Sequence, residues 1–284
     1  MQNFIRIFLK KYFPNIYNST FKIRKIIYKT MYTNKQNINI LKTFNQYVPN
    51  VSGENEKKIQ DTIYNINTYP IKLLNLSFKK YEITDINKQF DNKNSKLGEL
   101  FLNYGSDKKT HNYDLLYNYV FSEYLKKNEI EYLIEIGIGS KNLKILSNMS
   151  QYGKPGASLR AFRDYLPNTK IIGLEYDKSI LFNENRIETF FYDQISQDSL
   201  QTFSTKFKNK IDILIDDGLH SIIANINSIL LAKEALKVNG YLIIEDISPD
   251  SIELFFPVFN LIEKEFEIKL FTNKSSIVAS LKKL

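Results

Sequence analysis

From residue 131 onward the chain alternates short apolar runs with helix-period stretches, and that alternation admits few folds. Tyr132–Ile138, Lys170–Tyr176, Glu188–Asp193, Ile211–Asp217 and Tyr241–Ile247 read as strands. Between them, Leu159, Phe162 and Leu166 fall at helical spacing. Residues 221–238 place Ile222, Ile226, Ile229 and Leu230 on one face, with Gly240 just past the helix end. Strands and helices alternating at this length predict a parallel sheet with helices on both faces. Two last extended runs, Ile268–Thr272 and Ser276–Leu281, are separated only by Asn273 to Ser275. That gap is too short for a crossover helix, so they predict an antiparallel hairpin at the sheet edge.

In such a sheet, ligands bind beyond the carboxyl ends of the strands, and here those ends are polar. The first ends Glu135-Ile136-Gly137-Ile138-Gly139, where two glycines let the backbone approach a ligand closely. A third glycine is missing; Ser140-Lys141-Asn142 follow, which argues against a dinucleotide fingerprint. Glu175 ends the second strand, where a carboxylate can take both ribose hydroxyls. Asp193-Gln194 ends the third, where a polar pair can meet an adenine edge.

The densest cluster closes the fourth and fifth strands: Asp216-Asp217-Gly218-Leu219-His220 and Ile244-Glu245-Asp246. Neighbouring parallel strands bring Asp217, Glu245 and Asp246 together, and three converging carboxylates repel one another unless a cation lies between them. Oxygen donors and a chain without cysteine suit Mg²⁺, with Mn²⁺ or Ca²⁺ as alternatives. His220, at the start of the next helix, would stay neutral there and could accept a proton. The rival reading has Asp216 and Asp217 capping that helix and His220 on the surface. Capping explains one aspartate, not the combination. The other histidine, His111, follows Asp107 and Thr110 just before the helical run Tyr113–Tyr124. Two readings stay open there: Asp107 and His111 touch a ligand, or Asp107 starts a turn and Thr110 caps a helix.

Five landmarks stand out: Tyr104-Gly105-Ser106-Asp107-Lys108, Glu135 to Gly139, Gly156-Ala157-Ser158-Leu159-Arg160, Asp216 to His220, and Ile244-Glu245-Asp246. On these, the stretch from about residue 98 to 250 resembles the metal-dependent sugar O-methyltransferases of macrolide (mycinamicin, macrocin) biosynthesis. It is similar too to methyltransferases of capsule and lipopolysaccharide gene clusters. Leu219 stands where the motif commonly has serine. The resemblance implies S-adenosyl-L-methionine across Glu135, Gly137 and Gly139, its ribose on Glu175 and its adenine near Asp193. Asp107 and Asp216 are further cofactor-binding candidates, and His111 a substrate candidate. It implies Mg²⁺ held by Asp217 and Asp246, with Glu245 as a less certain ligand, and His220 as the catalytic base. The insert Ser140–Pro155 is the candidate for shaping the acceptor pocket. The implied fold is the Rossmann-like class I methyltransferase sheet, five parallel strands plus a C-terminal antiparallel hairpin.

Residues 1–53 carry nine Lys and Arg and no acid, so residues 54–284 sum to −1 within a chain of net charge +8. The catalytic part is therefore nearly neutral, which argues against a nucleic-acid partner. No run approaches the roughly 18–20 apolar residues of a membrane span, and Lys10, Lys11 and Pro14 interrupt any signal-peptide core. The basic segment suits an amphipathic helix on an anionic membrane surface. The plainer reading is a helical extension packed on the main domain or used to form a homo-oligomer; scarce Arg and Ser argue against an organellar presequence. The expected organisation is a basic, mainly helical extension over 1–90 and a methyltransferase domain over 91–284. The expected setting is the cytoplasm, with contact to the inner face of the membrane through residues 1–53 as one option. Two rivals keep the fold: an enzyme acting on a phosphoramidate, phosphate or other small acceptor in capsule decoration, and a non-catalytic, membrane-associated partner.

Overall fold

Strands buried on both faces need a cover on both sides, and the central strands here are of that kind. The computed structural model describes residues 79–90, 95–145, 147–149, 153–273 and 275–284. Its first part holds β1 (Ile83–Asp85), α1 (Ile86–Gln89), α2 (Lys96–Tyr104), α3 (Tyr113–Leu125), β2 (Tyr132–Ile136), α4 (Ala157–Tyr165), β3 (Lys170–Glu175) and β4 (Asn183–Glu184). Then come β5 (Ile187–Phe191), α5 (Gln197–Lys206), β6 (Ile211–Asp216), α6 (Ile222–Ala235), β7 (Leu236–Ile247), α7 (Phe256–Ile262), β8 (Phe266–Thr272) and β9 (Ile277–Lys283).

Among the described residues the strands form one sheet, in the order β1-β8-β9-β7-β6-β2-β3-β5-β4. The five central strands, β5, β3, β2, β6 and β7, are parallel, as the alternation predicts. β8 and β9 form the expected antiparallel hairpin. Its second strand, not its first, lies beside β7, antiparallel to it. The hairpin is also not the edge: β1 pairs parallel with β8 outside it. Residue-by-residue alternation splits the strands between two cores. Ile134, Leu214, Leu242 and Ile244 face α5 and α6, whereas Leu133, Ile213, Ile215 and Ile243 face α3 and α4. Each such side chain contributes roughly 1.5–3 kcal/mol by its burial.

Two boundaries differ from the sequence reading. α6 ends at Ala235, three residues before the helical pattern does, because Leu236 turns extended and pairs with Ile211. Lys283 reinforces that end by donating to the carbonyls of Lys233 and Leu236. Gly240 therefore lies in β7 after a register shift, where a Cβ would come 2.9 Å from the Lys237 carbonyl oxygen. The second difference is at the start. Ile86 is fully buried, and the Phe90 ring lies 5.0 Å from Tyr119 and 5.4 Å from Phe271. Packed structure thus begins before the boundary expected at residue 90. The expectations for residues 1–53, a helix contacting a membrane or a second copy, fall outside the described residues. Among those described, no helix is long and apolar enough to cross a membrane.

The carboxyl ends of β2, β3, β5, β6 and β7 share one edge, and the chain leaves β2 through a tight passage. Gly137 has φ +82°, its N–H donates to the Leu174 carbonyl at 2.8 Å, and a Cβ there would stand 2.1 Å from the Asp217 carbonyl oxygen. Gly139 has φ +87°, but its Cβ would meet the Met149 side chain, which can move. Gly137→Ala is therefore expected to cost at least about 2–3 kcal/mol, and Gly139→Ala less. Urea unfolding of both variants checks the order; equal losses would refute it.

Candidate active site

The site is assembled from three places far apart in sequence. α2 stops at Gly105, whose left-handed backbone (φ +82°) lets its N–H bond back to Phe101 and Leu102. Ser106 then caps a single 3₁₀ turn, Asp107–Lys109, and this turn sends Lys108 inward. α3 follows, and its residues Tyr113 and Tyr117, four apart, lie on one face. At the far end of β6 and β7 lie Asp217, His220, Glu245 and Asp246.

Asp217, His220 and Asp246 each present a ligand-type atom, all within 4.8 Å of one another. His220 Nε2 is 3.7 Å from Asp217 Oδ1, while its Nδ1 is buried without a hydrogen-bond partner. Tyr113 donates to Asp246 Oδ1, and its hydroxyl lies 2.8 Å from Ser276 Oγ in the β8–β9 turn. His220 (φ 51°) and Asp246 (φ 53°) both hold left-handed backbone that non-glycine residues seldom adopt. Such strain gathers at functional sites.

Lys108 lies behind this group, only 2% exposed. Its ammonium is 2.7 Å from Asp217 Oδ2, 2.7 Å from Glu245 Oε2 and 3.1 Å from Glu135 Oε1. Burial opposes its charge, but Asp217, Glu245 and Glu135 together outweigh that and hold it protonated. Burial raises the Asp217 and Glu135 carboxyls, against the pull of Lys108. Glu245 is pushed up to about 7 by burial, with Lys108 pulling the other way and Asp246 adding to the rise. At Asp246, burial is outweighed by the charge of His220 and the hydrogen bonds from Tyr113 and Ser276, so its carboxyl falls below the usual range.

Several expected positions are corrected. Glu245 does not join the metal-type group: it turns to Lys108, and Tyr117 donates to its other oxygen. β7 is irregular here, with Asp246 in left-handed backbone and the β9 pairing shifting register between Ile244 and Ile247, so Glu245 and Asp246 part company. Asp216 is fully buried and accepts from Gln194, Asn225 and the Gly218 N–H. It ties β6 to α6. Glu135 is fully buried too, bonded by Ser158 and paired with Lys108. Neither Asp216 nor Asp217 caps α6; Ser221 does, accepting from Ala224 N–H at 3.3 Å. Thr110 does not start α3, whose N-cap is Asn112; it closes the 3₁₀ turn instead, its N–H donating to the Asp107 carbonyl at 2.7 Å.

The remaining candidates line the same edge. Glu175 accepts the N–H groups of Ile138 (3.0 Å) and Asp177 (2.8 Å), which fixes the glycine loop. Asp193, half-buried, accepts from the Ile195 N–H, and Gln194 holds the Leu219 N–H at 2.9 Å. Asp107 is 80% exposed and lies 3.8 Å from His111, whose ring stacks on Tyr113. Sequence reasoning assigned no role to Lys108, Tyr113 and Tyr117. The signal available was the lysine of Gly105-Ser106-Asp107-Lys108 and two tyrosines four apart at the start of a helix.

The geometry can be set beside known proteins. No family profile matches the chain, and no curated protein is similar to it. Among solved structures it is similar to the MycE methyltransferase of the mycinamycin biosynthetic pathway in complex with Mg and SAH. That alignment has 24% identity and a TM-score of 0.52, over 66% of this chain and 54% of that one. The complex of MycE with Mg, SAH and mycinamycin VI aligns at 22% identity and TM-score 0.52, over 83% of this chain and 62% of that one. The fold is that of a class I methyltransferase. The chain spans just over half the length of the first of these structures.

The raised Glu245 gives a pH signature. Its folded value, about 7, exceeds the ordinary 4.5, so its contribution to stability is full below about pH 4.5 and is lost as pH rises through 7. Urea unfolding in chelator between pH 4.5 and 8 should show that loss, and Glu245→Gln should flatten it. An unchanged slope in the variant would remove Glu245 as the cause.

Proposed function

We propose that the chain is an S-adenosylmethionine-dependent O-methyltransferase with a Mg²⁺ held by Asp217 and Asp246, acting on a sugar hydroxyl in surface-polysaccharide or natural-product biosynthesis. One observation carries the reading: Asp217, His220 and Asp246 converge within 4.8 Å beside the Gly137–Gly139 loop. The donor chemistry fits the ion. Two carboxylates offer hard oxygens of the kind Mg²⁺ prefers, and the acids outnumber the buried ammonium. The Mg and SAH in the MycE structure support it as well.

When bound, S-adenosylmethionine supplies an electrophilic methyl group, and the metal makes an acceptor hydroxyl more acidic. The chain's own residues do the rest. Gly137, Ile138 and Gly139, held by Glu175, shape the floor of the cofactor site. His220, with Nδ1 carrying its ring proton, takes the acceptor proton at Nε2, beside the Asp217 carboxylate that stabilises the imidazolium. Tyr113, braced by Ser276, holds Asp246 in place. The enzyme works in the cytoplasm, on a small or sugar acceptor.

Three measurements test this. Calorimetric titration with S-adenosylmethionine should give a binding heat; none would point to a non-catalytic relative of the fold. His220→Ala should lower kcat by about 10²–10⁴-fold while leaving that heat in place. Chelation should abolish methyl transfer to a panel of nucleotide sugars, and Mg²⁺ should restore it. Activity indifferent to chelator, or to His220, would remove the corresponding role.

A further inference from the structure

The proposed chemistry leaves one buried cation unused. Lys108 Nζ contacts oxygens from three acids, Asp217 and Glu245 at 2.7 Å and Glu135 at 3.1 Å. Each acid commits its second oxygen elsewhere. Glu135 accepts from Ser158 and Glu245 from Tyr117, while Asp217 Oδ1 faces His220 at 3.7 Å. Asp217 therefore bridges two places where positive charge belongs. One oxygen meets the ammonium, and the other meets the group formed with His220 and Asp246. A carboxylate shared in this way is the plan of a two-cation centre, whose ions stand roughly 3.5–4 Å apart. Here a side chain fills one of the places. Without it, oxygens of buried Glu135 and Glu245 and of half-buried Asp217 would surround a space lined for a hard divalent ion.

We propose that Lys108 is a positioning residue that serves as the centre's resident second cation, holding Asp217 by one oxygen and so limiting the Asp217–His220–Asp246 group to a single divalent ion. The inference rests on the metal reading of that group given above. A lysine is covalently present whatever the metal supply. It also leaves Asp217 with one oxygen for the ion, which narrows the ways in which the ion can be held.

Counting Mn²⁺ on the full chain tests it, by equilibrium dialysis and by electron paramagnetic resonance. The wild type should saturate at one ion. Lys108→Ala, which opens room for a hydrated ion, should saturate at two, with a spectrum broadened by exchange between them. Lys108→Arg should return the count to one. A Lys108→Ala chain that binds one ion with an unchanged dissociation constant would overturn the proposal. If that variant lacks a cooperative melt, the other two proteins decide: a second ion in the wild type or in Lys108→Arg overturns the proposal, and one in each upholds it. A wild type that binds none would instead overturn the metal reading, and this inference with it.

Discussion

Four carboxylates meet at one end of this sheet, and their mutual repulsion is the constraint to which the surrounding structure answers. Glu135, Asp217 and Glu245 are held by a single ammonium, and Asp246 by a tyrosine and a histidine. Taking such charges out of water costs several kcal/mol each unless partners replace the solvent. The partners arrive from α3, from the 3₁₀ turn before it and from the β8–β9 turn. Removing any one of them leaves a buried charge exposed to its neighbours. The site is thus held by electrostatics more than by packing.

The glycine loop answers a different need. Its first glycine makes room for the protein's own backbone at Asp217, so β2 and β6 can end side by side with the loop between them. Glu175 then pins the loop by accepting the Ile138 N–H, while its other oxygen takes the N–H of Asp177 just beyond β3. A feature that reads in sequence as ligand-binding is also a device for bringing two strand ends together. The strand ends carry the acids, so the same glycine sets where Asp217 stands.

How far the sequence could be read follows from which interactions are local. β2, β3 and β6 were legible because each is an apolar run bounded by turn residues, and the α4 spacing showed for the same reason. β1 was not, since Ile83-Thr84-Asp85 is too short to show a period and earns its strand form only from β8. The end of α6 was misplaced because Lys237 and Val238 continue a helical pattern, while Leu236 is claimed by Ile211 across the sheet. At the site, Asp217, His220 and Asp246 could be found because strand order alone brings them together. Lys108 could not, because its partners are 27, 109 and 137 residues away. Glu245 was misread for a related reason: an irregularity of β7 at Asp246 that no sequence period shows separates the two acids, and only Lys108 explains where Glu245 went.

The insertion of β9 between β7 and β8 has a consequence for how the molecule comes into being. Of the described strands, β9 is the last in the chain, yet it is an interior one, and Ser276 at its threshold supports Tyr113 and through it Asp246. A growing polypeptide cannot build this sheet in the order in which it is made. The outer edge of β7 must wait until β9, paired with β8 as a hairpin, docks on it, so that edge stays open while the hairpin is made. The acids therefore spend synthesis without their full set of partners, and the site comes together as a late event in folding.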